Sequence, residues 1–100
     1  MITESELLKH KWRKVGDKCW EKLGVRIEYP ITITTFSAIK INYYMNPKQE
    51  LYSAVYVSVN VGISTLEATI RALIKGMFKV KPQRYPMTPK QKRTLKNWIL

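Results

Sequence analysis

The first apolar pattern in the chain recurs at spacings of three and four. Leu8, Trp12, Val15, Cys19 and Leu23 fall on one side of a helix drawn from Thr3 to Leu23. Start signals precede it: Thr3 and Glu6 have the spacing of a capping box, and Ile2 and Leu7 that of a hydrophobic staple. Gly24 stands where a left-handed stop is expected. Gly16 in mid-helix would cost about 1 kcal/mol relative to Ala, and suggests a close backbone neighbour. The other side carries Lys9, Arg13 and Lys14, diluted by Glu6, Asp17 and Glu21.

From Val25 the period becomes two. Val25, Ile27, Tyr29, Ile31 and Ile33 share one face; Arg26, Glu28, Thr32 and Thr34 share the other. Pro30 lacks an N–H, so this strand is expected at a sheet edge or broken there. A second run keeps Ile39, Ile41, Tyr43 and Met45 inward, and a third Leu51, Val55, Val57, Val59 and Val61. Between them lies the turn NPKQE. Facing residues of an antiparallel pair share a face, which sets the register. A five-residue loop pairs Met45 with Leu51, Ile41 with Val55 and Ile39 with Val57, and on the opposite face Tyr44 with Tyr52 and Lys40 with Tyr56.

Two more helices follow. Ser64 and Glu67 form a second capping-box spacing after Gly62, and Leu66, Ile70, Leu73, Ile74 and Met77 make a buried stripe. The segment KVKPQRYP, with two prolines, reads as an extended connector. Thr88, Pro89 and Gln91 then supply an N-cap, a proline at the first helical position and a capping-box partner. This last helix is short enough to be marginal alone, so Leu95, Trp98 and Ile99 are expected to dock it. The predicted fold is α+β: a long N-terminal helix and a second helix on one face of an antiparallel sheet of three or four strands, then a short basic helix. Residues 1–80 are expected to form the domain, with 81–100 a basic connector and helix docked on it.

Composition adds charge. The 100 residues carry a formal net charge of +11, distributed unevenly. Up to Glu67, nine basic residues meet all seven acidic ones, a net of +2; residues 68–100 carry nine basic residues and no acid. These nine are Arg71, Lys75, Lys79, Lys81, Arg84, Lys90, Lys92, Arg93 and Lys96. Arg71 and Lys75 lie four apart on a helix, where like charges repel. The helix dipole excuses Lys75 and Lys79 near a C-terminus, but Lys90, Lys92 and Arg93 sit near the N-terminal end of their helix. Such charge points to a polyanion: nucleic acid, or an acidic protein surface as the alternative.

Other chemistry is sparse. His10 and Cys19 are the only histidine and cysteine, and zinc needs three or four N or S ligands, so neither metal nor cofactor is expected. No carboxylate pair, Ser/His/Asp set or phosphate-binding glycine loop is visible, so the chain is not expected to be an enzyme. Tyr44, Tyr52 and Tyr56 share the outward parity of the hairpin with Lys40 and Asn42. Aromatics beside cations are the ingredients of a base-stacking platform. The same face is alternatively covered by the C-terminal helix or a second copy. No signal peptide or apolar spanning run is visible and one cysteine excludes an internal disulfide, so a cytoplasmic protein is expected. Its Lys, Ile, Asn and Tyr content suits an AT-rich bacterial or phage genome.

The order helix, three strands, helix resembles a double-stranded-RNA-binding domain. That family opens its second helix with a lysine cluster; here the stretch is Thr65-Leu66-Glu67-Ala68-Thr69, with one acid and no base. The resemblance therefore implies topology and no site residue.

Overall fold

The structure is a computed structural model and describes residues 2–33, 36–48, 52–80 and 85–100. It is α+β, with an antiparallel five-stranded sheet and three helices. Helix α1 (Glu4–Lys9) leads into β1 (Arg13–Gly16), β2 (Cys19–Lys22), β3 (Val25–Ile33), β4 (Phe36–Met45) and β5 (Tyr52–Ser58). Helices α2 (Ile63–Lys79) and α3 (Pro89–Lys96) follow. The strands lie side by side in chain order, a meander. None of the described helices is long and apolar enough to cross a membrane.

The long first helix does not form. The Thr3–Glu6 capping box is present, but α1 ends after six residues. Lys11 turns left-handed at φ 71, its N–H bonds to the Leu8 carbonyl, and the Trp12 N–H reaches the Leu7 carbonyl. This is a Schellman stop with lysine in the place glycine usually takes. The left-handed lysine costs roughly 1–2 kcal/mol, offset by the packing of Trp12 and Leu7 into the core. A helix continued to Leu23 would have placed Trp20 off the apolar stripe. The β1–β2 hairpin instead buries both Trp12 and Trp20 and leaves Leu8 61% exposed. Two buried tryptophans outweigh a stripe of smaller side chains, since each buries about 150–250 Å². Gly24 is therefore no helix stop. With Leu23 it forms the two-residue turn between β2 and β3, both residues at positive φ, 47 and 80.

Pro30 is accommodated in an interior strand. β2 pairs with β3 only as far as Glu28, so Pro30 lies beyond its reach, and the ladder to β4 shifts register between Glu28 and Ile31. The β4–β5 pairs Ile39–Val57, Lys40–Tyr56 and Ile41–Val55 form as expected. Past Asn42 an extra residue at Tyr43 shifts the register, so Tyr44 meets Ser53 and Met45 meets Tyr52. Tyr44 and Met45 therefore take partners other than the expected Tyr52 and Leu51, and Leu51 itself lies outside the described residues. Strand β5 ends at Ser58, short of Val59 and Val61.

Helix α2 lies over β4, burying Ile63, Leu66, Ile70, Ile74 and Met77, with Leu73 half-buried. Its N-cap is Gly62 rather than Ser64 and makes no side-chain cap bond. Helix α3 keeps the predicted Thr88–Gln91 capping box with Pro89 in the first turn. Leu95 and Trp98 join the same core cluster as Trp12, Trp20, Ile27, Ile41 and Ile70. Three contacts seat this end of the chain on the hairpin side of the sheet. Trp98 Nε1 donates to the Leu23 carbonyl at 3.0 Å, and Gln91 Nε2 donates to the Met45 carbonyl at 2.9 Å. A Cβ on Gly24 would stand 3.1 Å from Thr94 Cγ2, so that turn takes a side chain poorly.

Candidate nucleic-acid interface

The basic residues of α2 and the chain end form one surface. Residues 96–98 lie alongside α2 between Phe78 and Arg71: Lys96 Nζ is 5.7 Å from the centre of the Phe78 ring, and Arg71 Nε donates to the Trp98 carbonyl at 2.8 Å. On α2, Arg71, Lys75 and Lys79 follow one another at spacings of four, and Lys75 lies one turn before Phe78. On α3, Lys92 precedes Lys96 by one turn on the same flank. Arg71, Lys75, Lys79, Lys92 and Lys96 thus form one exposed ridge, with Arg93 on its outer side. Lys90 is exposed as well, one turn before Thr94 and on the flank nearer Gly24. Lys81 and Arg84 lie outside the described residues.

Among the described residues no carboxylate forms an ion pair with a cation of this ridge. The five ion pairs use Glu4, Glu21 and Glu67, with Lys14, Arg13, Arg26, Lys22 and His10 as their partners. Every one of those cations precedes Glu67 in the chain. Arg71 has a structural bond through Nε, which orients its guanidinium without neutralising it.

Glu67, expected to cap α2, sits instead in a polar cluster inside the fold. Its carboxylate accepts from Trp12 Nε1 at 3.2 Å and from Lys22 Nζ, and His10 Nδ1 lies 3.4 Å from its other oxygen. The Glu67 side chain is 12% exposed and that of Lys22 18%. Lys22 Nζ also lies 5.3 Å above the Trp98 ring, so one ammonium links β2, α2 and the end of the chain. Among the described residues no group of three or more His, Cys, Asp or Glu could hold a metal ion.

The outer face of the sheet forms a cleft of about 680 Å³. Its floor is two cross-strand rows, Glu21–Arg26–Asn42–Ala54 and Glu28–Lys40–Tyr56. Gly24, Tyr44 and Met45 close one end. The three tyrosines expected to share this face separate. Tyr56 is 52% exposed at the cleft. Tyr44 is 7% exposed, its ring meeting Tyr85 edge-on at 5.2 Å and its hydroxyl donating to the Pro86 carbonyl at 2.5 Å. Burial, with Tyr85 alongside, raises the Tyr44 pKa above 10.0. The side chain of Tyr52 lies outside the described residues. Lys40 faces the cleft, half-buried, between Glu28 and Tyr56. Four charges of balanced sign (Glu21, Glu28, Arg26, Lys40) make this face unlike the ridge.

Sequence reasoning missed the Glu67 cluster because it placed His10, Trp12 and Lys22 on one helix. It missed Arg26 and Glu28 as cleft residues, although their shared outward parity was visible. Comparison with known protein families, curated proteins and solved structures finds no match to this chain. The two-stranded hairpin ahead of β3 also departs from the helix, three strands, helix order of the RNA-binding domain it resembles.

Proposed function

We propose that this chain is a small non-enzymatic nucleic-acid-binding protein that grips phosphates with the ridge formed by α2 and α3. The observation that carries this reading is the convergence of Arg71, Lys75, Lys79, Lys92 and Lys96 on one surface, with no ion pair among the described residues to neutralise them. Arg71 and Lys96 each make a contact with the fold, but the charges of the ridge repel one another and no ion pair among the described residues relieves them. A polyanion relieves that repulsion and releases condensed counterions. The lone cysteine suits a reducing, cytoplasmic setting.

A second reading, an acidic protein partner, is favoured by an apolar groove of about 460 Å³ along α2, lined by Tyr43, Ala72, Leu73, Gly76 and Val80. Lys75 and Lys79 lie on the same exposed side of the helix, beside Ala72 and Gly76. An acidic peptide with apolar side chains would use both features, whereas a duplex would use only the ridge.

Binding to duplex and single-stranded oligonucleotides across a salt series tests the proposal. With about five phosphates engaged on duplex DNA, log K should fall against log salt with a slope of about −4 to −5. Replacing Lys75, Lys79, Lys92 and Lys96 by Gln should flatten that slope by about 3 to 4 while the protein stays folded. Affinity weaker than about 100 μM at low salt for every nucleic acid tried, below the usual non-specific range, would leave the acidic-protein reading.

A further inference from the structure

The outer-sheet cleft holds chemistry that neither the fold nor the ridge uses. Glu28 and Lys40 face each other across β3 and β4 yet form no ion pair. Asn42 and Tyr56 stand beside them, and among the described residues none of these four side chains makes a hydrogen bond or ion pair. Arg26, by contrast, is held by Glu21 at 3.3 Å on the rim. A carboxylate, an ammonium, an amide and a half-exposed aromatic ring thus converge, unspent, on one cleft of about 680 Å³. That size lies within the range of small-ligand sites, about 300–1,000 Å³.

The balance of charge says what the cleft does not bind. Two carboxylates against two cations give no net attraction for a phosphate backbone. The occupant should instead be a flat group carrying donors and acceptors side by side. An ionised carboxylate only accepts, so Glu28 needs adjacent N–H donors. Lys40 only donates, and the Asn42 amide can donate, so both can serve acceptors on the same ring system. Among the nucleobases, guanine presents this set together: N1–H and N2–H₂ on one edge, O6 and N7 on another. Adenine, cytosine and thymine each lack either the paired donors or the paired acceptors. The ring of Tyr56 offers a stacking surface for the base.

The cleft also adjoins the proposed phosphate-binding ridge. Its closed end is the Gly24 turn, against which Thr94 of α3 packs. Lys90 lies one turn from Thr94 on that flank, and the Thr94 hydroxyl donates to the Lys90 carbonyl. Four residues of strand separate Gly24 from Glu28, about 13 Å at the rise of a β-strand. A strand held at α3 therefore reaches the cleft within a few nucleotides.

We infer that the outer-sheet cleft accepts an unpaired guanine base of a single-stranded nucleic acid, with Glu28 on its N1–H and N2–H₂ edge, Lys40 and Asn42 on O6 and N7, and Tyr56 stacked on its face. The inference rests on the nucleic-acid reading of the ridge and adds a base preference to it.

The test is fluorescence anisotropy of labelled dT₁₂ and of the same oligonucleotide with one central dG, dA or dC, at fixed salt. The dG form should bind about tenfold more tightly than dT₁₂, as a well-formed bidentate base contact provides. Glu28→Gln should erase that preference, because Gln offers one acceptor where guanine brings two donors, while the loss of one negative charge shifts the affinity of all four strands alike. Tyr56→Ala should weaken all four oligonucleotides, and Lys40→Ala provides a second route if Glu28→Gln perturbs folding by circular dichroism. Equal affinity for the four strands overturns the guanine site and leaves the ridge reading standing. GMP alone binding as tightly as the dG strand overturns it as well, by making the cleft a nucleotide pocket. Absence of binding to any of these strands overturns the guanine site, and it overturns the ridge reading too only where duplex DNA fails to bind in the same buffer.

Discussion

Trp98, two residues before Leu100, is 3% exposed. Its ring centre lies 5.9 Å from that of Trp12, its Nε1 donates to Leu23, and its carbonyl accepts from Arg71. Trp98→Ala removes the ring from a core that also holds Leu95, Ile70 and Ile74. Truncations of this size cost about 3–5 kcal/mol when the site relaxes only partly. The lost contact with Trp12 falls within that figure, and the Leu23 carbonyl, in a surface turn, regains water. Domains of this size have about 5–15 kcal/mol in all, so the variant should be folded but fragile. Urea unfolding followed by far-ultraviolet circular dichroism is the suitable assay, since fluorescence would lose one of three reporters. With an m-value of about 1–2 kcal/mol/M, a loss of about 3 kcal/mol moves the midpoint down by about 1.5–3 M. Trp98→Phe, which keeps a ring and loses the N–H, should cost much less. A loss below about 1 kcal/mol for Trp98→Ala would refute the placement of this end of the chain in the core.

Two further expectations concern titratable groups. Glu67→Ala should destabilise by about 3 kcal/mol, because Lys22 is left partly buried without its carboxylate and the Trp12 N–H loses its acceptor. Adding Lys22→Met should recover much of that loss, measured by the same urea unfolding; strict additivity of the two changes would count against a coupled cluster. Tyr29, Tyr43 and Tyr44 have pKa values raised above 10.0, each chiefly by burial. The Glu6 carboxylate adds to the effect at Tyr29 and Tyr85 at the other two. A raised native pKa means the folded state holds the phenolic proton longer than the unfolded chain. The stability it contributes is therefore full below pH about 10 and falls as pH rises toward and through the native values. In a titration of tyrosinate absorbance, these three of the six tyrosines should ionise late; all six titrating together below the unfolding pH would contradict it.

Much of the fold was legible in the sequence because local rules agreed with burial. The period-two runs, the Thr3–Glu6 and Thr88–Gln91 boxes and the α2 stripe all describe elements that form. The N-terminal error arose where two periods fitted one segment. Spacings of three and four through Leu8, Trp12, Val15, Cys19 and Leu23 looked helical, but they left Trp20 without a place in the core. The turn signals at Asp17–Lys18 and Leu23–Gly24 were short, and neither Lys11 nor Lys18 announces a left-handed residue. The extra residue at Tyr43 was not legible in local spacing; beside it Tyr44 packs edge-on against the Tyr85 ring and donates to the Pro86 carbonyl, both from beyond α2.

The ridge was legible as composition before it was a surface, and the distribution of acids explains why it remains uncompensated. Glu4 pairs with Lys14, Glu21 with Arg13 and Arg26, and Glu67 with Lys22 and His10, while Glu6 completes the α1 cap. Glu4, Glu6 and Glu67 are engaged around α1, the hairpin and the start of α2, and Glu21 on the outer face of the sheet. Glu67, the last acid in the sequence, points into the fold. Among the described residues no ion pair reaches the outer side of α2 or α3, whose attachment relies on Leu95, Trp98 and hydrogen bonds to Leu23 and Met45. Apolar burial and hydrogen bonds to backbone carbonyls, that of Arg71 to Trp98 included, hold these helices without neutralising their basic side chains. The fold thus tolerates the ridge's repulsion without relieving it, and a partner of opposite charge has that relief to gain.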